Sequence, residues 1–371
     1  MARPTVAEIH LSALRHNVHA IRSLLPKDTG LFAIVKANAY GHGALPVART
    51  LEAEGARMLA VATVEEGVEL REGGIRLPVV VLGGVEPPQA DEAHAHRLSA
   101  VLFDRRQIGY LARAAEKAGR PFPVHVKVDT GMGRLGLLPR WALEAAGEIA
   151  STPSLRLEGW MTHLSSADGP ASSDREHTAA QLAIFRETLS WVRKAFGEGV
   201  AAHALNSAGI LRFREDPFDL VRPGITMYGC SPLPPGDASL DLRPVMRVVS
   251  KVLSLKELPA GHAVSYNRRF LCEGARQIAV VPIGYADGYR RGLTGRGRMA
   301  VAGHAVPVVG TVCMDHTMID VTGVPDVRIG TDVEVMGGSS MGAEEMARIC
   351  GTIPYEILAQ VGPRIPRVYV D

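Results

Sequence analysis

The chain has 371 residues, of which 46% are hydrophobic and 22% charged, and its formal net charge at pH 7 is +2. This balance is typical of a water-soluble globular protein, and the near-neutral charge predicts no nucleic-acid partner and no membrane partner. The four cysteines are far apart and form no CxxC pair, so we expect a reducing cytoplasm rather than disulfides or a structural zinc site.

The first two-thirds of the chain alternates short apolar runs with amphipathic stretches. The N-terminus lacks the unbroken apolar run of a signal peptide, and no stretch is long and apolar enough to span a membrane. Helical spacing is found at 9–25, 105–118, 141–149 and 173–196. Candidate strands lie at 32–36, 59–63, 79–82, 100–103, 124–128, 158–163, 203–206 and 220–222. The alternation predicts a parallel α/β sheet, and eight strands predict a (β/α)8 TIM-type barrel, with a doubly wound sheet as the alternative.

The pattern changes near Cys230. The following segment, SPLPPGDASLDLRP (231–244), is rich in Pro, Gly and Ser and is typical of a linker. Beyond it, candidate strands come without intervening helices, at 246–255, 277–282, 298–301, 306–309, 318–321 and 332–336. Two short helices, at 343–350 and 354–360, follow them. The sequence therefore predicts a barrel over 1–235 and a C-terminal, mostly β domain over 236–371.

Polar residues cluster at the predicted carboxyl ends of the barrel strands. In a (β/α)8 barrel these ends, with the loops that follow them, form the active site. A surface role could explain any one of these residues, but it explains less well why so many occupy equivalent positions. They are Lys36, Lys127, Asp129, Arg134, His163, Asn206, Ser207 and Arg222.

Lys36 is the most informative of these residues. It ends the apolar run LFAIVK, and a buried ammonium is unfavourable unless it is paired or neutral. Burial makes a lysine lose its proton more easily, so that it becomes a nucleophile towards an aldehyde. On spacing alone, a lysine that snorkels to solvent at a strand end is the more common case.

The sequence around Lys36, VKANAYGHG (35–43), resembles the pyridoxal phosphate site of the alanine racemase family. Eight further segments resemble that family and occur in the family's order, from near the N-terminus to the end of the chain. They are HVKVDTGMGRLG (125–136), GWMTHLSSAD (159–168), ALNSAG (204–209), DLVRPGITMYG (219–229), AVSYNRRF (263–270), VPIGYADGYRRG (281–292), VGTVCMDHTMIDVT (309–322) and IPYEIL (353–358).

The resemblance implies roles for individual residues. Lys36 matches the lysine that binds pyridoxal 5'-phosphate covalently, and Tyr266 matches the base on the opposite face, which in the family comes from the second subunit of a homodimer. Arg134 matches the arginine that fixes this tyrosine and the substrate carboxylate, and Arg222 matches the one that hydrogen-bonds the pyridine nitrogen. The positions matching those around the cofactor phosphate are Tyr40, Ser207, Gly224, Ile225 and Tyr355.

Five further residues match positions that line the family's site. His163 and Asn206 line the cofactor, and Met314 matches a residue whose backbone meets the substrate from the partner subunit. Lys127 matches a lysine that is carbamylated in many members, and Tyr285 matches a tyrosine at the entrance. No catalytic position departs from the family's pattern.

The reaction implied is interconversion of L-alanine and D-alanine, which supplies D-alanine for cell-wall peptidoglycan. By resemblance, Lys36 acts on the D-enantiomer and Tyr266 on the L-enantiomer. A tyrosine has a reference pKa of ~10 and needs a nearby cation to act as a base, a role for which Arg134 is the candidate. Arginine only donates hydrogen bonds, so the pyridine nitrogen facing Arg222 must be an unprotonated acceptor. We infer that Arg222 weakens the cofactor as an electron sink and suppresses transamination.

Three alternatives remain at this stage. GMGRLG (131–136) satisfies G-x-G-x-x-G and follows a strand, as in a dinucleotide-dependent dehydrogenase, but it lies in the fifth strand–loop unit rather than the first. A related barrel-type decarboxylase would carry a cysteine–glutamate motif where this chain has CMD (313–315). A non-catalytic cofactor-binding protein would need neither Tyr266 nor Arg134.

Overall fold

The computed structural model describes residues 3–234, 236–237 and 240–371. Its first element is a strand, β1 (Val6–His10), which leads directly into helix α1 (Leu11–Arg22). Eight strands follow: β2 (Gly30–Ile34), β3 (Met58–Val61), β4 (Val79–Val81), β5 (Leu98–Leu102), β6 (Phe122–Lys127), β7 (Leu155–Met161), β8 (Ala201–His203) and β9 (Leu220–Val221). The helical segments among them are α2 (Lys36–Tyr40), α3 (Ala44–Ala53), α4 (Val64–Glu72), α5 (Ala90–Ala95), α6 (Arg106–Ala118), α7 (Pro139–Ala150), α8 (Ser172–Phe196) and α9 (Ser207–Arg212).

Strands β2 to β9 form a parallel barrel. Their order is β8-β7-β6-β5-β4-β3-β2-β9, and each neighbouring pair is parallel. The circle closes between β9 and β8, where the Arg222 N–H donates to Leu205 O (2.8 Å) and the Asp219 N–H donates to Ala202 O (3.1 Å). Most of these strands are buried along their whole length, as expected when helices cover the outside of a parallel sheet. The barrel prediction is confirmed, and the doubly wound alternative is wrong.

The C-terminal half forms the second sheet. Its elements are β10 (Met246–Lys251), β11 (Ser254–Leu258), β12 (Ala263–Val264), β13 (Phe270–Leu271), β14 (Arg276–Val281), β15 (Arg298–Val301), β16 (His304–Val309), β17 (Thr317–Asp320), β18 (Asp332–Met336), α10 (Ala343–Cys350), α11 (Pro354–Ala359) and β19 (Arg367–Val370). Nine strands pair in the order β11-β14-β17-β16-β15-β18-β10-β1-β19, and β12 pairs with β13. The single strand predicted over 246–255 is two strands, because the chain changes partner from β18 to β14 at Val252 and Leu253.

The N-terminal strand β1 belongs to this second sheet. It pairs antiparallel with β10 and parallel with β19, with Ala7 and Ile9 fully buried. The helix predicted over 9–25 therefore starts two residues late, at Leu11. The predicted boundary between 235 and 236 stays a prediction, since residue 235 lies outside the described residues.

The two halves share an apolar core, and the C-terminal elements lie against the barrel mouth. Arg367 of β19 donates to Gly41 O (2.9 Å), directly after α2. A Cβ on Gly41 would lie 2.4 Å from Leu358 O of α11, so only glycine permits this approach. None of the helices in the described ranges is long and apolar enough to cross a lipid bilayer.

Candidate active site

Lys36 stands between strand β2 and a left-handed turn. The next four residues, 37–40, have φ values of 53°, 52°, 52° and 53°, although none is glycine. A left-handed helical conformation is unfavourable for L-residues by about 1–2 kcal/mol each, so surrounding contacts must hold it. Asn38 Oδ1 accepts from the Ala44 N–H (2.7 Å), and His42 Nδ1 donates to the carbonyls of residues 39 and 40 (2.9 and 3.1 Å).

The amine of Lys36 is in an environment that favours its neutral form. The side chain is half-buried, and no ion pair of the described residues includes it. Burial lowers the pKa of the Lys36 amine, Arg134 lowers it further, and Glu66 opposes both. A lysine that snorkels into solvent would keep an ordinary pKa, so the structure favours the nucleophilic interpretation of this residue.

Arg222 follows strand β9 and is buried, with 2% of its surface exposed. Its Nη1 donates to His203 O (2.6 Å) and to His203 Nδ1 (2.9 Å), while Nη2 donates to Thr162 O (2.6 Å) and Ala204 O (2.8 Å). His163 Nδ1 lies 3.3 Å from the same Nη2. Burial lowers the pKa of the Arg222 guanidinium to about 9, so it remains charged at neutral pH. These bonds fix the side chain in one orientation.

His203 and His125 continue this network into the barrel interior. His203 Nδ1 must be an acceptor, because a guanidinium only donates. A neutral His203 therefore carries its proton on Nε2, which lies 3.0 Å from His125 Nδ1. Both rings are fully buried, and burial lowers the pKa of His125 to about 4. His125 Nε2 has no hydrogen-bond partner within the described residues.

The end of β6 carries Lys127, and the loop that follows carries Asp129 and Arg134. Lys127 is 5% exposed, and burial lowers the pKa of its amine to about 8, with further lowering by Arg134, Arg222 and Lys36 and opposition from Asp129. The N–H groups of residues 131, 132 and 133 all donate to the Asp129 carboxylate, at 2.9–3.1 Å. The first three amides of the GMGRLG motif are thus bound to Asp129 and are not free to cradle a dinucleotide pyrophosphate. The dehydrogenase alternative is wrong.

Five residues from four segments, including α2 and α9, come together, and we call them the phosphate cluster: Tyr40, Ser207, Gly224, Ile225 and Tyr355. The Gly224 N–H donates to Ser207 Oγ (2.9 Å), and the rings of Tyr40 and Tyr355 lie 5.8 Å apart. A Cβ on Gly224 would lie 2.7 Å from Tyr40 Oη. The N–H of Ile225 and both tyrosine hydroxyls donate to no described residue. Unpaired donors around a glycine suit an anion.

Asn206 precedes the phosphate cluster and caps helix α9. Its Oδ1 accepts from the Gly209 N–H (2.9 Å), and its Nδ2 donates to Leu164 O (3.4 Å). A parallel bridge joins Asn206 to Arg222. Asn206 therefore lies beside Arg222, and its polar atoms hold the two neighbouring loops together.

Tyr266 lies on the C-terminal half, in a tightly held turn. The Ser265 hydroxyl donates to Thr311 O (2.8 Å), and Thr311 Oγ1 donates to Tyr266 O (3.0 Å). Gly310 is required here, since its φ is +66° and a Cβ would lie 2.7 Å from Val264 O. The Tyr266 side chain itself is 68% exposed.

Tyr285 and Met314 form a second exposed group on this half. The Tyr285 N–H donates to Cys313 O and the Ala286 N–H donates to Met314 O, both at 3.0 Å. Tyr285 is 42% exposed and Met314 is 53% exposed. Among the described residues, no hydrogen bond or ion pair joins Tyr266, Tyr285 or Met314 to Lys36. The single chain thus brings together the barrel residues of the predicted site and leaves these three side chains exposed.

Sequence reasoning missed several residues of this site. Glu66 contacts the Lys36 turn, and Tyr228 donates its hydroxyl to Ile34 O (2.8 Å), below Lys36. The alternation of His125 with valines in β6 was a signal, because a histidine inside an apolar strand must find a partner.

No group of His, Cys, Asp and Glu residues in the described ranges could hold a metal ion.

Comparison with known proteins identifies the family. Residues 9–232 match the family model described as "Alanine racemase, N-terminal domain", and residues 245–369 match "Alanine racemase, C-terminal domain". The chain belongs to the alanine racemase family. A relative from Geobacter sulfurreducens, named alanine racemase, is 41% identical over 374 residues, covering 100% of this chain and 98% of the relative.

Solved structures of alanine racemases share the fold. The enzyme from Clostridium difficile superposes with a TM-score of 0.92 at 33% identity, covering 100% of this chain and 96% of that one. The Bartonella henselae alanine racemase, whose structure has covalently bound pyridoxal phosphate, gives a TM-score of 0.87 at 29% identity, covering 99% of each chain. The resemblance inferred from the sequence motifs is confirmed.

Proposed function

We propose that the chain interconverts L-alanine and D-alanine with pyridoxal 5'-phosphate held covalently by Lys36. The observation that carries the proposal is the half-buried Lys36 amine at the barrel mouth, where burial and Arg134 lower its pKa. Such an amine is a nucleophile for an aldehyde and a base for an α-hydrogen. Membership in the alanine racemase family supports the same activity.

The residues around Lys36 fit the two polar ends of the cofactor. The phosphate cluster offers unpaired hydroxyls and an amide to an anion, and Arg222 would donate to the ring nitrogen, with His163 and Asn206 alongside. When bound, pyridoxal phosphate withdraws electrons from the α-carbon of an attached amino acid and so acidifies its hydrogen.

Two groups of the protein would then move the proton. Lys36 Nζ takes or returns it on the side of the D-enantiomer, and Tyr266 Oη does so on the side of the L-enantiomer. Arg134 binds the substrate carboxylate and supplies the positive charge that a tyrosine base needs.

Lys127 extends the proposal. It is buried near Arg134, Arg222 and Lys36, so its ammonium form adds to an already positive site. Carbamylation by carbon dioxide, which requires the neutral amine, would replace this positive charge with a negative one facing Arg134. A pKa of about 8 leaves a useful neutral fraction at physiological pH.

The working unit that we propose is a homodimer with two shared sites. Tyr266, Tyr285 and Met314 are large apolar or aromatic side chains exposed on the single chain, and exposed groups of this kind mark contact surfaces. In the dimer, Tyr266 and Met314 of one chain would meet Lys36 of the other, and Tyr285 would stand at the entrance.

We also propose that the enzyme works in the cytoplasm and supplies D-alanine for peptidoglycan. The four cysteines, all unpaired in the described structure, support a reducing compartment.

One experiment tests the proposal against its rivals. The purified protein is first examined for visible absorption by bound cofactor. One portion is treated with borohydride to fix the cofactor on Lys36. A second, untreated portion is assayed for α-hydrogen exchange in L- and D-alanine in deuterated water. We expect exchange with both enantiomers. Binding without exchange would indicate a non-catalytic cofactor protein, and release of carbon dioxide without exchange would indicate a decarboxylase.

A further inference from the structure

The left-handed turn after Lys36 needs a restraint from outside the turn. Its four residues, 37–40, all occupy a conformation that L-residues avoid. A relaxed backbone here would redirect the Lys36 side chain, because Lys36 immediately precedes the turn. Contacts within the loop, from Asn38 and His42, hold its later part.

Glu66 supplies the contact at the start of the turn. Its Oε1 accepts from the Ala37 N–H (2.6 Å), and its Oε2 accepts from the Ala62 N–H (2.7 Å). Ala37 follows strand β2 and Lys36, while Ala62 follows strand β3. One carboxylate therefore joins the loops after two neighbouring barrel strands, at the end where the site lies.

Capping of helix α4 explains only half of this arrangement. Glu66 lies in the first turn of α4, where Thr63 Oγ1 accepts from the Glu66 N–H (3.4 Å), and a glutamate reaching back to an N–H before the helix is a capping interaction. The bond to Ala37 contributes nothing to α4. Glu65, in the same turn, is exposed and accepts from Gln89 Nε2 (2.7 Å), so it serves as a matched control.

Glu66 also balances the charge around Lys36. Arg134 lowers the pKa of the Lys36 amine and Glu66 raises it. Lys36 and Arg134 both lower the pKa of the neighbouring Lys127, so the surroundings carry several positive charges. Glu66 is thus the carboxylate that opposes a cationic surrounding.

We propose that Glu66 is a positioning residue for Lys36: its carboxylate holds the left-handed turn through the Ala37 N–H and offsets the positive charge around the lysine amine. The proposal rests on the proposed function, because it assumes that the position of Lys36 sets the rate of proton transfer.

The test compares Glu66→Gln, Glu66→Ala and Glu65→Gln in the cofactor-loaded enzyme. Glu66→Gln removes the charge but can still accept from one N–H, and we expect the pH midpoint of the cofactor's visible absorption to fall by about half to one unit. Glu66→Ala removes both bonds, and we expect kcat to fall about 10–100-fold with little change in KM, because a small misplacement of a reacting group slows the chemical step. Glu65→Gln should match the unaltered enzyme in both.

A second readout separates this proposal from the proposed function. In protein stripped of cofactor, acetylation of Lys36 by acetic anhydride is followed against pH by mass spectrometry, and Glu66→Gln should shift the profile to lower pH. Unchanged midpoints in both assays, or a loss of thermal stability alone, would overturn the positioning role and leave Glu66 a helix cap. Absence of racemisation in the unaltered enzyme would overturn the proposed function, while the acetylation profile would still decide the role of Glu66.

Discussion

At the scale of single residues, Arg222 shows how hydrogen bonds restrict chemistry. Four of its bonds go to protein acceptors on neighbouring strand ends, so its orientation and its charge are both fixed. A fixed donor opposite the ring nitrogen of the cofactor would keep that nitrogen unprotonated. An unprotonated ring accepts less electron density from the α-carbon, which favours return of the proton to carbon over transamination.

Arg222→Glu should therefore slow racemisation and raise the share of side product. We expect roughly a 100-fold lower rate, the usual effect of losing a preorganised donor, together with measurable pyruvate. The ratio of exchanged alanine to pyruvate is the measurement. Because Arg222→Glu also removes a donor from three backbone carbonyls, Arg222→Lys is the control for folding, and it should retain the original partition. An unchanged ratio in a folded Arg222→Glu enzyme would refute this role.

Residue roles were predictable where a motif carried them and unpredictable where a partner lies far along the chain. Lys36, Arg134 and Arg222 stand in strings long enough to resemble a family. Glu66 and His203 carry no such signal, because their importance comes from contacts with Ala37 and Arg222 that only the folded barrel creates. Hydrogen-bond partners across strands have no periodicity that a sequence could reveal.

At the scale of elements, the N-terminal segment ties the barrel to the second sheet. Arg3, just before β1, donates to both oxygens of the buried Asp287 carboxylate (2.5 and 2.7 Å) and to Pro282 O (2.8 Å). Asp287 in turn accepts from the Gly284 N–H (3.0 Å), which begins the turn that carries Tyr285. Arg3 thus stabilises the loop at the proposed entrance to the site.

Arg3→Ala should loosen this loop. Among the described residues, Asp287 would keep only Arg364 as a charged partner, so we expect the free energy of unfolding to fall by about 1–3 kcal/mol, as for a buried charged hydrogen bond. KM for alanine should rise several-fold while kcat changes less. Arg15→Ala, which removes an exposed pair with Asp371, should change stability by about 0.5 kcal/mol or less. Urea unfolding and steady-state kinetics measure the effects of both variants. Equal effects of Arg3→Ala and Arg15→Ala would contradict the role of Arg3 in holding this loop.

Elements were predictable in proportion to their local pattern. Most of the barrel strands are buried along their length, and the predicted strands agree with them within a few residues, as do the predicted helices with α6 and α8. Strand β1 is not predicted, and its last two residues fall within the predicted helix over 9–25, because the alternation of Ala7 and Ile9 is too short to separate two periods. Its pairing with β10 joins residues about 240 positions apart in sequence, and no local pattern reports such a contact.

At the scale of the whole molecule, buried histidines make stability depend on pH. Burial lowers the pKa of His42 and of His125 to about 4, and the pKa values of His163 and His203 also lie well below the ordinary value. Between pH 6.5 and pH 4 the unfolded chain binds protons at these positions while the folded chain does not. The stability that these neutral histidines contribute is therefore fully present above the pKa of histidine in the unfolded chain, and it is lost as the pH falls below that value.

We expect the free energy of unfolding to fall as the pH is lowered from 7 to 5, by up to about 1.4 kcal/mol per pH unit for each buried histidine. Urea titrations at several pH values measure this slope. Asparagine cannot titrate, so His125→Asn should reduce the slope by the amount that corresponds to about one bound proton. His304→Gln, at an exposed position on β16, should leave it unchanged. A flat profile above pH 5 would show that these histidines are not buried in their neutral form.

The shared sites that we propose at a dimer interface lead to the strongest prediction at this scale. Lys36 lies at the barrel mouth and Tyr266 on the exposed face of the other half, with no hydrogen bond or ion pair between them among the described residues. If each site takes its lysine from one chain and its tyrosine from the other, Lys36→Ala and Tyr266→Ala should each abolish activity on their own. A heterodimer of the two variants would contain one site with both residues intact and one with neither.

Co-expression of the two variants in equal amounts should therefore restore activity. Random pairing makes half of the dimers mixed, and each mixed dimer has one intact site of two, so we expect about a quarter of the original activity. Different affinity tags on the two chains allow the mixed dimer to be isolated, and its activity should be about half that of the unaltered dimer. Mixed dimers that are pure and folded yet inactive would mean that Lys36 and Tyr266 do not serve one site from two chains.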